Sequence, residues 1–305
     1  MDIAITGASG LIGTALRASL EADGHRVVPV VRRAVADGER AVRWDPAAGT
    51  IDRAGLEGLD AVVHLAGAGI GDKRWSDERK REILESRSRG TALLAEALAG
   101  LDRKPPVLVS GSAIGYYGDR GDEVLTEASA AGDIFLSEVC VAWEDAAAPA
   151  VEAGIRVPFA RTGIVLATQG GALAKTLPLF KLGLGGRMGS GRQWWSWISL
   201  ADEVAALRFL IDHDLAGPVN LTAPEPATNA HFTEVLGHVL GRPTVVPVPA
   251  FGPRLLLGGE LADQLLFASQ RVQPTVLEAA GFAFAHRDLD TALRAVLGKP
   301  APVAA

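Results

Sequence analysis

The 305-residue sequence lacks what several classes of protein require. It has one cysteine, Cys140, so it cannot form an intrachain disulfide, and nothing indicates an oxidising compartment. Acidic residues outnumber basic ones and the net charge is −6, so a basic face for nucleic acid or anionic membrane is not expected. No apolar run approaches the roughly 18 to 20 residues of a membrane span, and no signal-like segment precedes the first predicted strand. We therefore expect a cytoplasmic protein that binds neither nucleic acid nor membrane.

Few side chains in the sequence can act as proton donors or metal ligands of the tyrosine and histidine type. The sequence has two tyrosines, Tyr116 and Tyr117, and six histidines that show no metal-ligand spacing with cysteine or carboxylates. We therefore expect no metal site. What remains is an ordinary globular composition, 48% hydrophobic and 22% charged. The length suits one nucleotide-binding domain with a smaller lobe.

Short β-branched runs alternate with longer helical patterns, which is typical of βαβ units around a parallel sheet. The predicted strands are Asp2–Thr6, Arg26–Val31, Ala61–Leu65, Val107–Ser110, Ile155–Pro158 and Val219–Leu221. The predicted helices are Leu11–Ala22, Ser76–Leu98, Phe135–Ala153 and Leu200–Ile211. Glycines interrupt residues 170–197, which we predict as loop and cap, and the chain after Pro224 is predicted as mostly helical.

This order predicts an α/β fold, a Rossmann-type doubly wound parallel sheet with a smaller, mostly helical C-terminal substrate lobe. We place the Rossmann domain at residues 1–224, with the Gly-rich cap insertion at about 167–199, and the helical lobe at 225–299.

The first predicted strand runs into a G-x-x-G-x-x-G sequence that opens an amphipathic helix. Gly7 permits a tight turn, Gly10 lets the backbone approach a pyrophosphate, and Gly13 lets the helix pack closely on the strand. The helix N-terminus adds free N–H groups and a positive dipole end. We expect a dinucleotide to contact Gly7, Ser9, Gly10, Leu11, Ile12 and Gly13.

Arginines follow the second predicted strand, where an acidic residue would bind the ribose of NAD. Arg32 or Arg33 suits a 2′-phosphate by charge-assisted hydrogen bonding, so the sequence predicts NADP(H) with Arg32 as the ligand. The alternative is a pair of solvated surface arginines. The small residues that end the third predicted strand would let the backbone approach the adenosine side of the cofactor, at Leu65, Ala66 and Gly67.

Several longer stretches resemble the extended short-chain dehydrogenase/reductase superfamily, in particular an atypical epimerase-family subgroup. They are Ser110–Gly118 (SGSAIGYYG), Arg161–Leu166 (RTGIVL), Gly189–Trp194 (GSGRQW), and the C-terminal segments 220–242 and 281–282. The resemblance covers nearly the whole chain and implies that Glu82 and Arg87 face NADP(H). The alternative is that both side chains lie on a solvated face of the helix.

Two further groups of residues are candidates for ligand contacts. Arg161 could bind the cofactor or an anionic substrate group, or form a structural ion pair. Arg192, Gln193 and Trp194 fall where relatives bind a nucleotide-sugar diphosphate, and a tryptophan beside a guanidinium suits such a ligand or another flat anion.

The superfamily's proton chemistry uses a Ser or Thr after the fifth strand and a Tyr-x-x-x-Lys on the next helix. Ser112 matches the first element, but Leu136 replaces the tyrosine and Cys140 the lysine. A leucine exchanges no proton, and a thiol supplies no positive charge. We therefore predict that Ser112 and one of Tyr116 and Tyr117 are catalytic, although either tyrosine could instead pack with its hydroxyl hydrogen-bonded.

These observations favour an NADP(H)-binding oxidoreductase that acts on an unidentified small molecule through a noncanonical proton donor. Two alternatives are left open. One is a nucleotide-sugar epimerase or dehydratase, against which the missing Tyr and Lys weigh, and the other is a noncatalytic NADPH-binding regulator. The sequence leaves both a monomer and a homodimer open.

Overall fold

The structure, a computed structural model, describes residues 1–300. Its strands are β1 (Asp2–Thr6), β2 (Arg26–Val31), β3 (Val42–Asp45), β4 (Thr50–Ile51), β5 (Ala61–His64), β6 (Leu108–Ala113), β7 (Val124–Leu125), β8 (Pro158–Thr162), β9 (Ile164–Leu166), β10 (Trp194–Trp195), β11 (Trp197–Ser199), β12 (Gly217–Leu221), β13 (Ala227–Thr228) and β14 (Arg271–Val272). Its α-helices are α1 (Leu11–Ala22), α2 (Asp77–Ala99), α3 (Phe135–Asp145), α4 (Ala148–Glu152), α5 (Gly171–Lys181), α6 (Leu200–Asp212), α7 (Asn229–Leu240), α8 (Phe251–Leu257), α9 (Gly259–Ala262), α10 (Thr275–Ala279) and α11 (Leu289–Leu297).

Eight strands form one sheet in the order β12-β8-β6-β5-β1-β2-β3-β4. Every pairing in it is parallel except that of β3 with β4. After β1, the chain adds β2, β3 and β4 on one side of β1 and then returns to place β5 on its other side. This reversal places a crevice at the carboxyl ends of β1 and β5, where open α/β sheets bind ligands.

Helices cover both faces of the sheet because alternate strand residues are buried on opposite sides. On one face Ile3 and Ile5 of β1 pack in a core with α1 and α6, whereas Ala4 belongs to a second core that includes residues of α2. The first core also contains Leu277 and Phe282 from the C-terminal region. A third core joins α5, α7 and α11.

The predicted sheet and most predicted helices are confirmed, with differences at their ends. Ser76 caps α2 by accepting a hydrogen bond from the Arg79 N–H at 3.2 Å, as its residue type favours. The predicted helix Phe135–Ala153 is wrong as one element: α3 and α4 are separate, and Pro149 lies in the first turn of α4, where its missing N–H is tolerated.

Two stretches differ more. The predicted strand Ile155–Pro158 lies too early, because β8 begins at Pro158 and extends to Thr162. Residues 170–197 are not only loop, since they form α5 and the short strands β10 and β11. In the described part of the chain, no helix has both the length and the apolar character needed to cross a membrane.

Candidate active site

The loop between β1 and α1 brings backbone close together. Gly7 has a φ of 68°, and a Cβ there would lie 2.9 Å from the carbonyl carbon of Leu65. A Cβ on Gly13 would lie 2.2 Å from the Gly7 carbonyl oxygen. Gly10 is exposed, precedes α1 and has no side chain to cap its first N–H groups. The other predicted contacts are the exposed Ser9 and the half-buried Leu11 and Ile12. This bare loop with a positive helix end fits a pyrophosphate.

The end of β2 separates the two arginines. Arg33 donates to Glu39, with Nη1 at 2.8 Å from Oε2, and this hydrogen bond lowers the pKa of Glu39 to about 2. Arg32 is exposed and has no hydrogen-bonding or ionic partner within residues 1–300. Of the two arginines at this strand end, Arg32 is therefore the one whose guanidinium is free to bind a phosphate group within the described structure.

The loop after β5 passes beside a buried guanidinium. Thr6 Oγ1 accepts hydrogen bonds from the N–H groups of Leu65 and Ala66 at 3.0 and 3.1 Å. A Cβ on Gly67 would lie 3.0 Å from Cζ of Arg87. The small residues predicted at this strand end thus let backbone and guanidinium approach each other.

Arg87 is 7% exposed and no carboxylate in the described chain lies within 4.0 Å of it. Its Nη1 donates to the carbonyl oxygens of Ala68 and Ile83 at 3.0 and 3.1 Å, and its Nε has no partner among the residues described. Burial lowers its pKa to about 10, so the group stays charged at neutral pH. A buried cation without a counter-ion favours an anionic or strongly polar ligand nearby.

Glu82, the other residue of α2 expected to face the cofactor, is exposed and bonded to Arg79 at 2.5 Å.

Ser112 lies at the end of β6 against an ion pair between α3 and β8. Its hydroxyl donates to Oε1 of Glu144 at 2.6 Å. Arg161 donates to both oxygens of Glu144 at 2.8 Å and is 3% exposed. The bidentate pair holds the Ser112 hydroxyl in a fixed direction. The structural alternative foreseen for Arg161, an ion pair, is therefore present.

The two tyrosines differ in their surroundings. Tyr117 is fully buried, donates to Oδ1 of Asn220 at 2.6 Å and accepts from Arg161 at 3.1 Å. Burial raises its pKa to about 12, which disfavours proton loss. Tyr116 is half-buried beneath the Arg161 guanidinium, 3.4 Å from the ring centroid, and its hydroxyl has no partner in the part of the chain described. Tyr116 thus has the hydroxyl that a ligand could use.

Leu136 and Cys140, the residues that the sequence comparison above set against the superfamily's tyrosine and lysine, both lie on α3. Both are buried and both line a cavity beside the sheet edge. The Cys140 thiol donates to the Ala113 carbonyl oxygen at 3.6 Å, and burial raises its pKa to about 12. It therefore stays an uncharged thiol at neutral pH.

The cavity has a volume of about 160 Å³ and lies between the carboxyl edge of the sheet and the C-terminal region. Its wall is mainly apolar, and Arg87 is its one charged residue. Ser112, Tyr116 and Tyr117 are outside the wall, which contains their neighbours Ala113, Ile114 and Gly115.

The three predicted substrate-binding residues, Arg192, Gln193 and Trp194, differ in their positions relative to the cavity. Trp194 lines the cavity, its Nε1 donates to Asp122 at 2.9 Å, and Arg271 stacks on its ring at 4.5 Å. Gln193 is buried and donates to two backbone carbonyls at 3.2 Å, so it holds the loop. Arg192 is exposed and lies outside the cavity wall.

Sequence reasoning missed several wall residues, including Trp195, Thr162, Gln264 and Gln270. Trp195 follows the predicted residue Trp194 directly, and its aromatic side chain could have marked it as a second ligand contact. The two glutamines reach the wall only through folding of the C-terminal region, and no local pattern marks them.

Together, the sheet order, the bare glycine loop and the cavity at the same edge define a nucleotide-binding α/β protein of the short-chain dehydrogenase/reductase type. Residues 3–139 match the NAD dependent epimerase/dehydratase family, and residues 248–296 match a domain of unknown function, DUF1731.

Relatives along the whole chain define the group more closely. The chain is 46% identical to epimerase family protein Mb2239 of Mycobacterium bovis, over 98% of each protein. It superposes on a crystal structure of human epimerase family protein SDR39U1 with NADPH at a TM-score of 0.89 and 34% identity, covering 98% of this chain and 99% of that one. The chain belongs to this epimerase family.

A more distant structure shows the common fold alone. It is UDP-N-acetylglucosamine 4-epimerase from Bacillus cereus, with a TM-score of 0.76 and 17% identity over 97% of this chain and 98% of that one.

Proposed function

We propose that this protein is an NADP(H)-dependent oxidoreductase that acts on a compact small molecule held in the cavity at the carboxyl edge of the sheet. The observation that carries the proposal is Arg32 beside the bare glycine loop, exposed and without a partner among residues 1–300, since together they match the 2′-phosphate and pyrophosphate of NADP(H). NADPH in the human SDR39U1 structure supports the same cofactor.

The cofactor would be held by residues at the ends of β1, β2 and β5. We assign the pyrophosphate to the glycine loop, the 2′-phosphate to Arg32, and the adenosine side to the backbone at 65–67. Arg87 supplies a buried positive charge where the superfamily's lysine is replaced by Cys140, because both side chains line the same cavity. Bound NADP(H) supplies the hydride chemistry.

The cavity supports a small substrate. Its volume of about 160 Å³ is below the roughly 300 to 1,000 Å³ of usual ligand pockets, and its wall offers apolar surface with one cation. Such a wall suits a compact carbonyl compound or alcohol with an acceptor group near Arg87. We propose residues 225–299 as the lobe that completes the wall, through Gln264 and Gln270.

A proton must accompany hydride transfer, and hydroxyl groups near the cavity are its candidate source. Ser112 and Tyr116 stay candidates from the sequence, with Ser112 oriented by Glu144. Tyr117 is a weaker one, because its hydroxyl already joins Asn220 and Arg161.

Two measurements test the proposal. Calorimetric titration should give tighter binding of NADPH than of NADH, and equal affinities would remove the basis for the cofactor choice. NADPH consumption should then be screened with small aldehydes, ketones and keto acids, with UDP- and dTDP-sugars as the comparison set. Turnover of a nucleotide sugar without net oxidation would establish the epimerase or dehydratase alternative instead.

A noncatalytic NADPH-binding regulator is the second candidate. The observation that favours it is the presence of Leu136 and a neutral Cys140 in the cavity wall, where the superfamily has its acid and its cation. Tight NADPH binding with no turnover across the whole screen would select this alternative.

A further inference from the structure

The carboxyl end of β8 directs two adjacent polar side chains to opposite faces of the sheet. Arg161 points to Glu144 of α3, as described above. Thr162 points the other way, and its hydroxyl donates to Oε1 of Glu203 in α6 at 2.8 Å. Thr162 is also one of the residues that line the cavity, so this residue lies between the cavity and a carboxyl group on the opposite face of the sheet.

Glu203 is fully buried and has little to stabilise a charge. Its Oε2 has no hydrogen-bond partner, and no Lys, Arg or His side chain lies within 4.0 Å of the carboxyl group, in the part of the chain covered by the structure. The other charged side chains on α6 and on the elements packed against it are either exposed, as Asp212 is, or bonded elsewhere: Arg17 to Glu21, Arg161 to Glu144, Arg208 to Asp23, and Asp202 to His286. Burial raises the pKa of Glu203 to about 8, so the group carries its proton at neutral pH.

Two residues of the wall carry a hydroxyl group, Thr162 and Ser196, and of these Thr162 is bonded to a carboxyl group. Ser196 is fully buried and its hydroxyl donates to the Gln270 carbonyl at 2.7 Å and accepts from the Val272 N–H at 2.8 Å. Thr162 is half-buried, and its one strong partner is the carboxyl group of Glu203. A hydroxyl between an acid and a cavity can pass a proton by giving one and receiving another.

We propose that Thr162 and Glu203 form a proton route into the cavity, in which Glu203 stores the proton and Thr162 delivers it to an oxygen atom of the bound substrate. This inference rests on the proposed oxidoreductase function. It adds a proton source that enters from the face of the sheet opposite Ser112 and Tyr116.

The transfer balances as follows for a carbonyl substrate and a reduced nicotinamide cofactor. The carbonyl carbon gains a hydride and is reduced, while the cofactor is oxidised. The Thr162 hydroxyl first turns from Glu203 toward the carbonyl oxygen, with the Glu203 proton on the oxygen that faces Thr162. The Thr162 O–H bond then breaks as its proton passes to the carbonyl oxygen, and Thr162 Oγ1 takes the Glu203 proton in the same event. Glu203 is left as a carboxylate and regains a proton from water after product leaves.

The protonated state of Glu203 can be tested without cofactor or substrate. Infrared spectra of the protein at pH 6 to 10 should contain a carbonyl band of a protonated carboxyl group that fades as the pH passes about 8. The band should be absent in Glu203→Gln and unchanged in Glu234→Gln, which makes the same change at an exposed glutamate of α7. A band missing from the wild type at pH 6, or retained in Glu203→Gln, would overturn the assignment.

The route through Thr162 predicts how fast this proton exchanges with solvent. After transfer into deuterated water, the band of Thr162→Val should shift at least tenfold more slowly than that of the wild type. Thr162→Ser, which keeps the hydroxyl, should exchange at close to the wild-type rate. Equal rates in all three proteins would show that the proton leaves by another path.

Turnover separates this inference from the proposed function. With a carbonyl substrate from the screen, Glu203→Gln and Thr162→Val should each lower kcat by roughly 10²- to 10⁴-fold without changing the Kd for NADPH, and Thr162→Ser should retain activity. Normal kcat in Thr162→Val, with losses confined to Ser112→Ala or Tyr116→Phe, would contradict the route but keep the oxidoreductase. Absence of turnover in every protein, with the infrared results as expected, would contradict the oxidoreductase and limit the pair to exchanging protons with a bound ligand.

Discussion

Among single residues, Arg32 and Arg33 form a matched pair for testing the cofactor site. Arg32→Ala should weaken NADPH binding by about 10- to 150-fold, equivalent to the roughly 1.5 to 3 kcal/mol of a hydrogen bond to a charged group. NADH binding should hardly change, because NADH has no 2′-phosphate. Calorimetric titration of both cofactors measures the difference.

Arg33→Ala is the control. Arg33 already bonds to Glu39, so its loss should affect NADPH much less than loss of Arg32. A larger effect at Arg33, or equal losses for NADPH and NADH at Arg32, would place the 2′-phosphate elsewhere.

Glu203 should also make the stability of the protein depend on pH. The pKa in the folded protein is about 8, above its ordinary value of 4.5. A raised pKa stabilises the fold fully below the ordinary value, and this contribution falls as the pH rises toward 8 and is gone above it. Since each pKa unit corresponds to about 1.4 kcal/mol, the loss should reach roughly 2 to 5 kcal/mol between pH 5 and pH 9.

Urea unfolding of wild type and Glu203→Gln at pH 5, 7 and 9 isolates this effect, because other titrating groups are common to both. The free energy of unfolding should fall more steeply with pH in the wild type. Parallel curves would mean that Glu203 is ionised at neutral pH.

For the elements, the loop from β1 to α1 allows binding to be separated from folding. Gly10→Val should abolish NADPH binding but keep the fold, because Gly10 is exposed and a Cβ there would meet only the Gly7 carbonyl oxygen, at 3.3 Å. Gly13→Val should lose the fold itself, since its Cβ would lie 2.2 Å from the same oxygen. Circular dichroism and calorimetric titration distinguish the outcomes, and near-normal NADPH binding by Gly10→Val would show that the pyrophosphate lies elsewhere.

The sequence predicted elements well where the signal is local. The glycine loop and the cap of α2 each fall within a dozen residues, so spacing alone located them. It failed for α5, where glycines before the helix and Pro178 inside it favour a loop, although Leu173, Leu177 and Phe180 bury one face. Tertiary packing outweighs local propensity in that segment.

In the candidate site, likewise, the contacts between residues far apart in the sequence could not be predicted. Glu144 meets Arg161 and Thr162 meets Glu203 only because parallel pairing and alternation of β8 set their directions. Neither contact has a spacing that a sequence pattern could reveal. The position of Tyr117 likewise follows from its contact with Asn220, which is 103 residues away in the sequence.

For the whole molecule, the cores predict cooperative unfolding. Leu277 and Phe282 pack with Ile3, Leu16 and Leu207, so the proposed helical lobe and the Rossmann domain share one apolar core. Calorimetry should therefore record a single transition, and a chain that ends at residue 224 should be unstable and prone to aggregate. Two separate transitions, or a soluble and cooperatively folding fragment 1–224, would contradict this expectation.

That shared core also restricts how members of the family could diverge. A chimera that joins the first part of this chain to the last part of a relative must match side-chain volumes along Leu277, Phe282 and their partners, or lose stability in both parts. Recombination of whole segments is therefore a costly way to acquire a new specificity. Point substitutions at wall positions such as Trp195, Gln264 and Gln270 leave that packing intact, and we expect ligand choice to have diversified there.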